Sequence, residues 1–229
     1  MSELLRVEHL AAGYGRLPVL FDVSFSLEAG EVVALAAGNG AGKSTLLAAM
    51  SGVLRPVTGG RVEFRGRDLS RVPAHLIARQ GLVHVLERRR LAPFMTVLDN
   101  LRLSEATVAR VRRAAWRRRF EEARESHELL RSHGERKAGE LSGGQQQLVA
   151  VVRGLLAEPA VILLDEPFQG LDLHAASQVC AVLEQAAGAG TAVLLTEHRA
   201  EVVTGLAHRT LHMDRGRIVD EESHVAQPV

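Results

Sequence analysis

Cysteine is almost missing from the chain: Cys180 is the only one in 229 residues. A lone thiol excludes a disulfide framework and points to a reducing compartment. Aromatics are also scarce, with one tryptophan, one tyrosine and six phenylalanines. Neither sign of charge dominates. Lysine and arginine total 28 against 27 aspartates and glutamates, which argues against a dedicated nucleic-acid binder with its strong basic footprint. No apolar run reaches the roughly 18–20 residues of a membrane span, and Met1 to Arg6 carry no apolar signal-peptide core. The expectation is a cytoplasmic protein that reaches a membrane only through a partner. The length suits one α/β domain over 1–229, with room for an inserted subdomain.

What is present is concentrated in Ala37-Gly38-Asn39-Gly40-Ala41-Gly42-Lys43-Ser44-Thr45. An apolar, strand-like run (Val32 to Leu35) precedes it, and Leu46 to Met50 follow with helical spacing. A glycine-rich turn between strand and helix gathers backbone N–H groups at a helix N-terminus, where the macrodipole favours an anion. Gly40 and Gly42 lack a Cβ, so the backbone can close on phosphate oxygens. Lys43 can reach the β- and γ-phosphates, and the Ser44 hydroxyl can ligate Mg²⁺. Ala37 stands where the strict pattern has glycine. If that position needed φ > 0, alanine would cost about 1–2 kcal/mol.

Upstream, Leu5 to Leu10 and Val19 to Leu27 alternate as half-buried strands do. Arg61 to Phe64 repeat the pattern after a turn expected at Thr58-Gly59-Gly60. These strands suggest an antiparallel layer beside the nucleotide site. Between the first two lies Gly13-Tyr14-Gly15, whose single tyrosine is a candidate adenine-stacking platform. Downstream, Pro73 to Arg79 suggests a short helix and Gly81 to Leu86 a buried strand, leading into Glu87-Arg88-Arg89-Arg90. Thr96 is a candidate N-cap for a helix over Val97 to Leu103. From Ser104 to Ser132 the chain is charged and helix-prone, with arginines clustered around Trp116. That cluster reads either as a solvated helix face neutralised by Glu121, Glu122 and Glu125, or as a surface for anionic lipid or a membrane partner.

Leu141-Ser142-Gly143-Gly144-Gln145 has the form of a capping box, with Ser142 as N-cap and Gln145 at the third helical position. Leu148, Val151, Val152 and Leu155 give its helix an apolar face, and the two glycines leave bare N–H groups at a positive helix end. Val161 to Leu164 form the continuous apolar run of a strand covered on both faces. Asp165 and Glu166 then emerge at its carboxyl end, the edge where open α/β sheets bind ligands. Asp165 is suited to hold Mg²⁺ and Glu166 to take a proton from water. Gly170 to Leu173 make a turn before a helix over His174 to Ala187, with Gly188 as its expected C-cap. Thr191 to Thr196 form another buried strand, and His198 just beyond can donate to a γ-phosphate oxygen. Thr210 to Met213 and Arg217 to Val219 suggest a closing hairpin.

This order of motifs resembles the ATP-binding cassette (ABC) ATPases along nearly the whole chain. The resemblance implies a RecA-like P-loop core of α/β class, with an antiparallel β subdomain and an inserted helical subdomain at about 88–158. It implies ATP and Mg²⁺ held by Tyr14, by Gly38 to Thr45, and by Ser44 with Asp165. It also implies a cassette dimer, homo- or heteromeric, in which Ser142, Gly143, Gly144 and Gln145 of one subunit complete the site of the other. Glu166, His198 and Lys43 would carry the hydrolysis. Transmembrane permeases would hold the subunit to the inner face of the membrane, served indirectly by an extracytoplasmic solute-binding protein.

Glu87 sits where most cassettes have glutamine, a metal-sensing position. A carboxylate about 4 Å from a phosphate charge costs about 4 kcal/mol at an effective dielectric of about 20, so Mg²⁺ or a neighbouring arginine must offset it. The Glu87-arginine run, with Pro93 and Thr96-Val97, looks like an ATPase subunit of branched-chain amino-acid importers. Leu86 and Arg88 depart from that subgroup. Amides or another polar solute therefore stay open, as do an exporter motor and a soluble mechanoenzyme.

Overall fold

Val161 to Leu164 are wholly buried, and they explain the architecture. Such a strand (β7, Val161–Leu164) must be covered on both faces. Its odd residues Val161 and Leu163 enter one hydrophobic cluster, and its even residues Ile162 and Leu164 enter the other. The computed structural model, which describes residues 2–87, 91–197 and 205–224, extends this alternation across a six-stranded sheet. Its order is β10-β9-β3-β8-β7-β6. β3 (Val32–Ala36), β6 (Leu82–Val85), β7, β8 (Ala192–Glu197) and β9 (Arg209–Asp214) run parallel. β10 (Arg217–Ser223) closes the edge as an antiparallel hairpin with β9.

The second sheet is antiparallel, in the order β2-β1-β4-β5. It comprises β1 (Glu3–Tyr14), β2 (Leu17–Glu28), β4 (Val57–Phe64) and β5 (Arg67–Asp68). Leu5, Val7, Leu10, Val23, Leu27, Val62 and Phe64 pack with α1 (Lys43–Met50) against one face of the parallel sheet. The turn expected at Thr58-Gly59-Gly60 is instead part of β4. The chain bends there through a bulge, with a register shift between Glu8 and Ala11 of β1 and positive φ at His9 and Gly60. A Cβ on Gly60 would lie 2.2 Å from the His9 carbonyl oxygen.

Helices cover the other face: α6 (Gly143–Leu155) and α7 (Leu173–Gly188), with α3 (Val97–Arg102), α4 (Arg113–Ser126) and α5 (Glu128–His133) beyond. α2 (Ala74–Gln80) precedes β6. The Thr96 hydroxyl accepts from Asp99 N–H, as an N-cap does. α7 runs one residue further than expected, so that Ala189 rather than Gly188 is its C-cap.

Trp116 is no surface residue. It is 2% exposed, stacks on Phe120 with centroids 5.3 Å apart, and donates from Nε1 to Ser104 Oγ at 3.0 Å. The arginines around it are largely spent on local acids. Arg117 pairs with Glu105, Arg118 with Glu122, and Arg112 and Arg119 both with Glu158. The exposed pairs of Arg117 and Arg118 contribute little to stability. Cys180 is half-buried and its thiol is pushed up to about 11 by burial, so it is a packing residue rather than a nucleophile.

Candidate nucleotide site

The site lies at the carboxyl ends of the parallel strands. β3 leads directly into the glycine-rich loop, whose left-handed conformations fall at Gly40 (φ 77°) and Gly42 (φ 108°). Ala37 and Gly38 are not among the positive-φ residues, so alanine at position 37 carries no left-handed strain. Around Gly38 and Gly40 an added Cβ would meet nothing within 4 Å, so the concave side of the loop is open to a ligand.

Lys43, first residue of α1, is 5% exposed. Its ammonium donates to the carbonyl oxygens of Ala37 (2.9 Å) and Gly38 (3.3 Å), spanning the mouth of the loop. It stands 3.9 Å from a Glu166 carboxylate oxygen. Desolvation lowers its pKa, opposed by the charges of Glu166, Asp165 and Glu197.

Asp165 follows β7 and is 5% exposed. Burial raises its pKa. Hydrogen bonds from Ser44 and Thr196 oppose the shift, and the carboxylates of Glu87 and Glu166 reinforce it. Thr196 Oγ1 donates to Asp165 Oδ1 at 2.9 Å and accepts from the Glu166 N–H at 2.8 Å. Glu166 itself has φ 50°, a left-handed conformation uncommon for a side chain of its kind. Its Oε2 accepts from Gln169 Nε2 at 2.8 Å.

Tyr14, Ser44, Ala48, His84, Leu86, Glu87 and Asp165 line one cavity of about 270 Å³. Tyr14 closes β1 rather than sitting on a free loop. The residue is 55% exposed, and its hydroxyl lies 3.5 Å from Thr45 Oγ1. The structure therefore brings Tyr14, Lys43, Ser44, Thr45, Glu87, Asp165 and Glu166 to one edge of the sheet. His198 and Arg88 to Arg90 lie outside the described residues.

Ser142-Gly143-Gly144-Gln145 open α6 with both halves of the capping box formed: Gln145 N–H to Ser142 Oγ, and Ser142 N–H to Gln145 Oε1. They line no part of that cavity. Three further contributors are invisible in the sequence pattern. Thr196 and Gln169 orient the acidic pair, and His84 walls the cavity. They carry no motif, and only the pairing of β7 with β8 brings Thr196 to Asp165.

Residues 20–169 match the family model described as ABC transporter. The chain belongs to this family. It is 32% identical over 97% of its length to the high-affinity branched-chain amino acid transport ATP-binding protein BraG of Pseudomonas aeruginosa, covering 94% of that protein. It is 34% identical over 96% of its length to the lipoprotein-releasing system ATP-binding protein LolD of Geobacter metallireducens, covering 99% of it. Among solved structures, the ADP conformation of an ATP-binding cassette of an ABC transporter superposes with TM-score 0.84. It is 29% identical, over 97% of this chain and 92% of that one. The chain is thus an ATP-binding cassette ATPase, the nucleotide-hydrolysing subunit type of an ABC transporter. None of its described helices is long and apolar enough to cross a membrane. The relatives carry different solutes by name, so family membership leaves the cargo open.

Proposed function

We propose that the chain hydrolyses MgATP at this sheet edge to drive solute import by permease subunits in the inner membrane, with branched-chain amino acids or amides as cargo. One observation carries the chemistry. The Lys43 ammonium, the Ser44 hydroxyl and two differently placed carboxylates, Asp165 and Glu166, converge beside an open glycine loop. The loop amides from Gly38 to Thr45, including Asn39 and Ala41, cradle the phosphates, and Lys43 leaves its carbonyl partners to meet them. Tyr14 stacks on adenine.

The donor set suits Mg²⁺. Among the described residues no three His, Cys, Asp or Glu side chains form a metal cluster, but Mg²⁺ needs only one or two protein ligands beside phosphates and water. Ser44 and Asp165 fill that role, with Glu87 facing the same cavity. Asp165, buried and raised in pKa, gains most from a cation. Held by these residues, Mg²⁺ would supply charge neutralisation at the transferring phosphoryl group.

Glu166 takes the proton of the attacking water, oriented by Gln169 and by its backbone bond to Thr196. His198 is assigned the γ-phosphate. Ser142, Gly143, Gly144 and Gln145 act on the site of a second cassette, and residues 88–158 form the helical subdomain that carries them. An extracytoplasmic binding protein would deliver the solute to the permeases. The resemblance to BraG supports the amino-acid cargo, and the similarity to LolD keeps export as the second reading.

Tagged Glu166→Gln protein, drawn from detergent-solubilised membranes in MgATP, tests the coupling. Polytopic permeases and a second cassette in the eluate support import. Soluble partners alone contradict it.

A further inference from the structure

His84 is a partly buried imidazole that no step of the proposed chemistry uses. It lies on β6, the strand that leads into Glu87, and pairs in register with Leu163 of β7. Its Nδ1 is 2.9 Å from Ser51 Oγ. Ser51 is the C-cap of α1, whose first residues are Lys43 and Ser44. The Ser51 hydroxyl also reaches the Ala48 carbonyl oxygen at 3.3 Å, as donor. Either group can be the donor in the 2.9 Å bond, and Nε2 is the ring nitrogen of His84 left outside it.

That nitrogen is buried and has no hydrogen-bond partner among the described residues. Desolvation pushes the ring down to about 4, so it is neutral at physiological pH. An unsatisfied polar atom in this setting lowers stability, and a hydrocarbon ring of similar shape would fill the position at lower cost. Stability therefore does not explain the imidazole. Its location offers another reason. His84 lines the nucleotide cavity with Tyr14, Ser44, Glu87 and Asp165. It also lines a separate groove of about 230 Å³ with Leu103, Ser104, Thr107, Arg153 and Gly154. One ring thus walls two cavities and ties the Glu87 strand to the phosphate-loop helix.

We propose that His84 is a positioning residue of the ATPase, which through its hydrogen bond to Ser51 holds the Glu87 strand and the Lys43–Ser44 helix in the register that binds nucleotide phosphates. Although it borders the nucleotide cavity, its part is to place other groups that touch the nucleotide. It sets the distance between two elements that do, and small misplacements of such elements are costly to function. This inference rests on the assignment of the phosphate site to Lys43 and Ser44.

The test uses the purified full chain, with the affinity for MgADP and the melting temperature of the nucleotide-free protein measured side by side. Lys43→Ala serves as control. His84→Phe removes the bond to Ser51 and the unpaired nitrogen together. It should melt no lower than the unmodified chain yet bind MgADP roughly three- to tenfold more weakly. Ser51→Ala should weaken binding similarly, and the double variant no further, because both break the same bond. His84→Asn, whose amide N–H can still reach Ser51, should restore binding. His84→Phe binding as tightly as the unmodified chain overturns the proposal, as does loss of affinity only in step with loss of stability. If Lys43→Ala binds MgADP normally, the phosphate-site assignment itself fails.

Discussion

Thr196 lies on β8 and Asp165 just past the end of the adjacent parallel strand β7, and the threonine hydroxyl donates to the carboxylate at 2.9 Å while accepting from the backbone of Glu166. One hydroxyl therefore orients both acids of the site. It holds the Asp165 side chain toward Ser44 and fixes the Glu166 backbone in its left-handed turn. Thr196→Val, which keeps the shape and removes the hydroxyl, should leave two polar groups without their partner. We expect a loss of about 1–3 kcal/mol in unfolding free energy, measured by denaturant titration, together with slower ATP turnover.

Asp165 is held in the fold at the expense of stability. Its pKa is raised, chiefly by burial, so the native state binds the proton more tightly than the unfolded chain. The contribution is most favourable at low pH and is lost as pH rises from the ordinary carboxylate value through the raised one. Asp165→Asn should accordingly melt no lower than the unmodified chain at neutral pH. It should also lose the enhancement of nucleotide binding by Mg²⁺, compared with EDTA in the same assay. A large fall in melting temperature would show that the carboxylate is structural.

His84 has the opposite sign. Its pKa falls to about 4 from 6.5, so the unfolded chain takes up the proton first. Full stability is present above pH 6.5 and is lost as pH falls toward 4, by up to about 3 kcal/mol for a shift of this size. His127, also depressed by burial, adds in the same direction. Melting curves between pH 7 and pH 4.5 should flatten in His84→Phe, and equal slopes would contradict the assignment.

Much of the fold and of the site is legible in the amino-acid sequence. Strands covered on both faces announce themselves as apolar runs, and the capping box at Ser142 and Gln145 forms as its spacing requires. The loop glycines are legible by type, because only Gly40 and Gly42 need φ > 0. What escapes is non-local or compensated. Thr58 to Gly60 look like a turn because two adjacent glycines usually make one, yet pairing with β1 absorbs them as a bulge. Trp116 sits among arginines in sequence but under them in space, since one helix can bury Trp116 and Phe120 while its other faces stay charged. Thr196, Gln169 and His84 act through partners far away in sequence or through geometry that spacing does not encode.

The helical layer gives a stability prediction with a built-in contrast. Trp116→Phe removes the donor to Ser104 while keeping most of the packing, and should cost about 1–2 kcal/mol. Arg117→Gln and Arg118→Gln remove exposed ion pairs and should change stability by no more than about 0.5 kcal/mol. Chemical denaturation of the three variants settles whether this segment is held by its buried aromatic pair or by its charges.

The role of Glu166 is the centre of the account, and single-turnover hydrolysis of prebound MgATP tests it most directly. Glu166→Gln should bind ATP as tightly as the unmodified chain and cleave it about 10²- to 10⁴-fold more slowly, the range expected for loss of a positioned general base. Cleavage at an unchanged rate with ATP still bound would contradict the account.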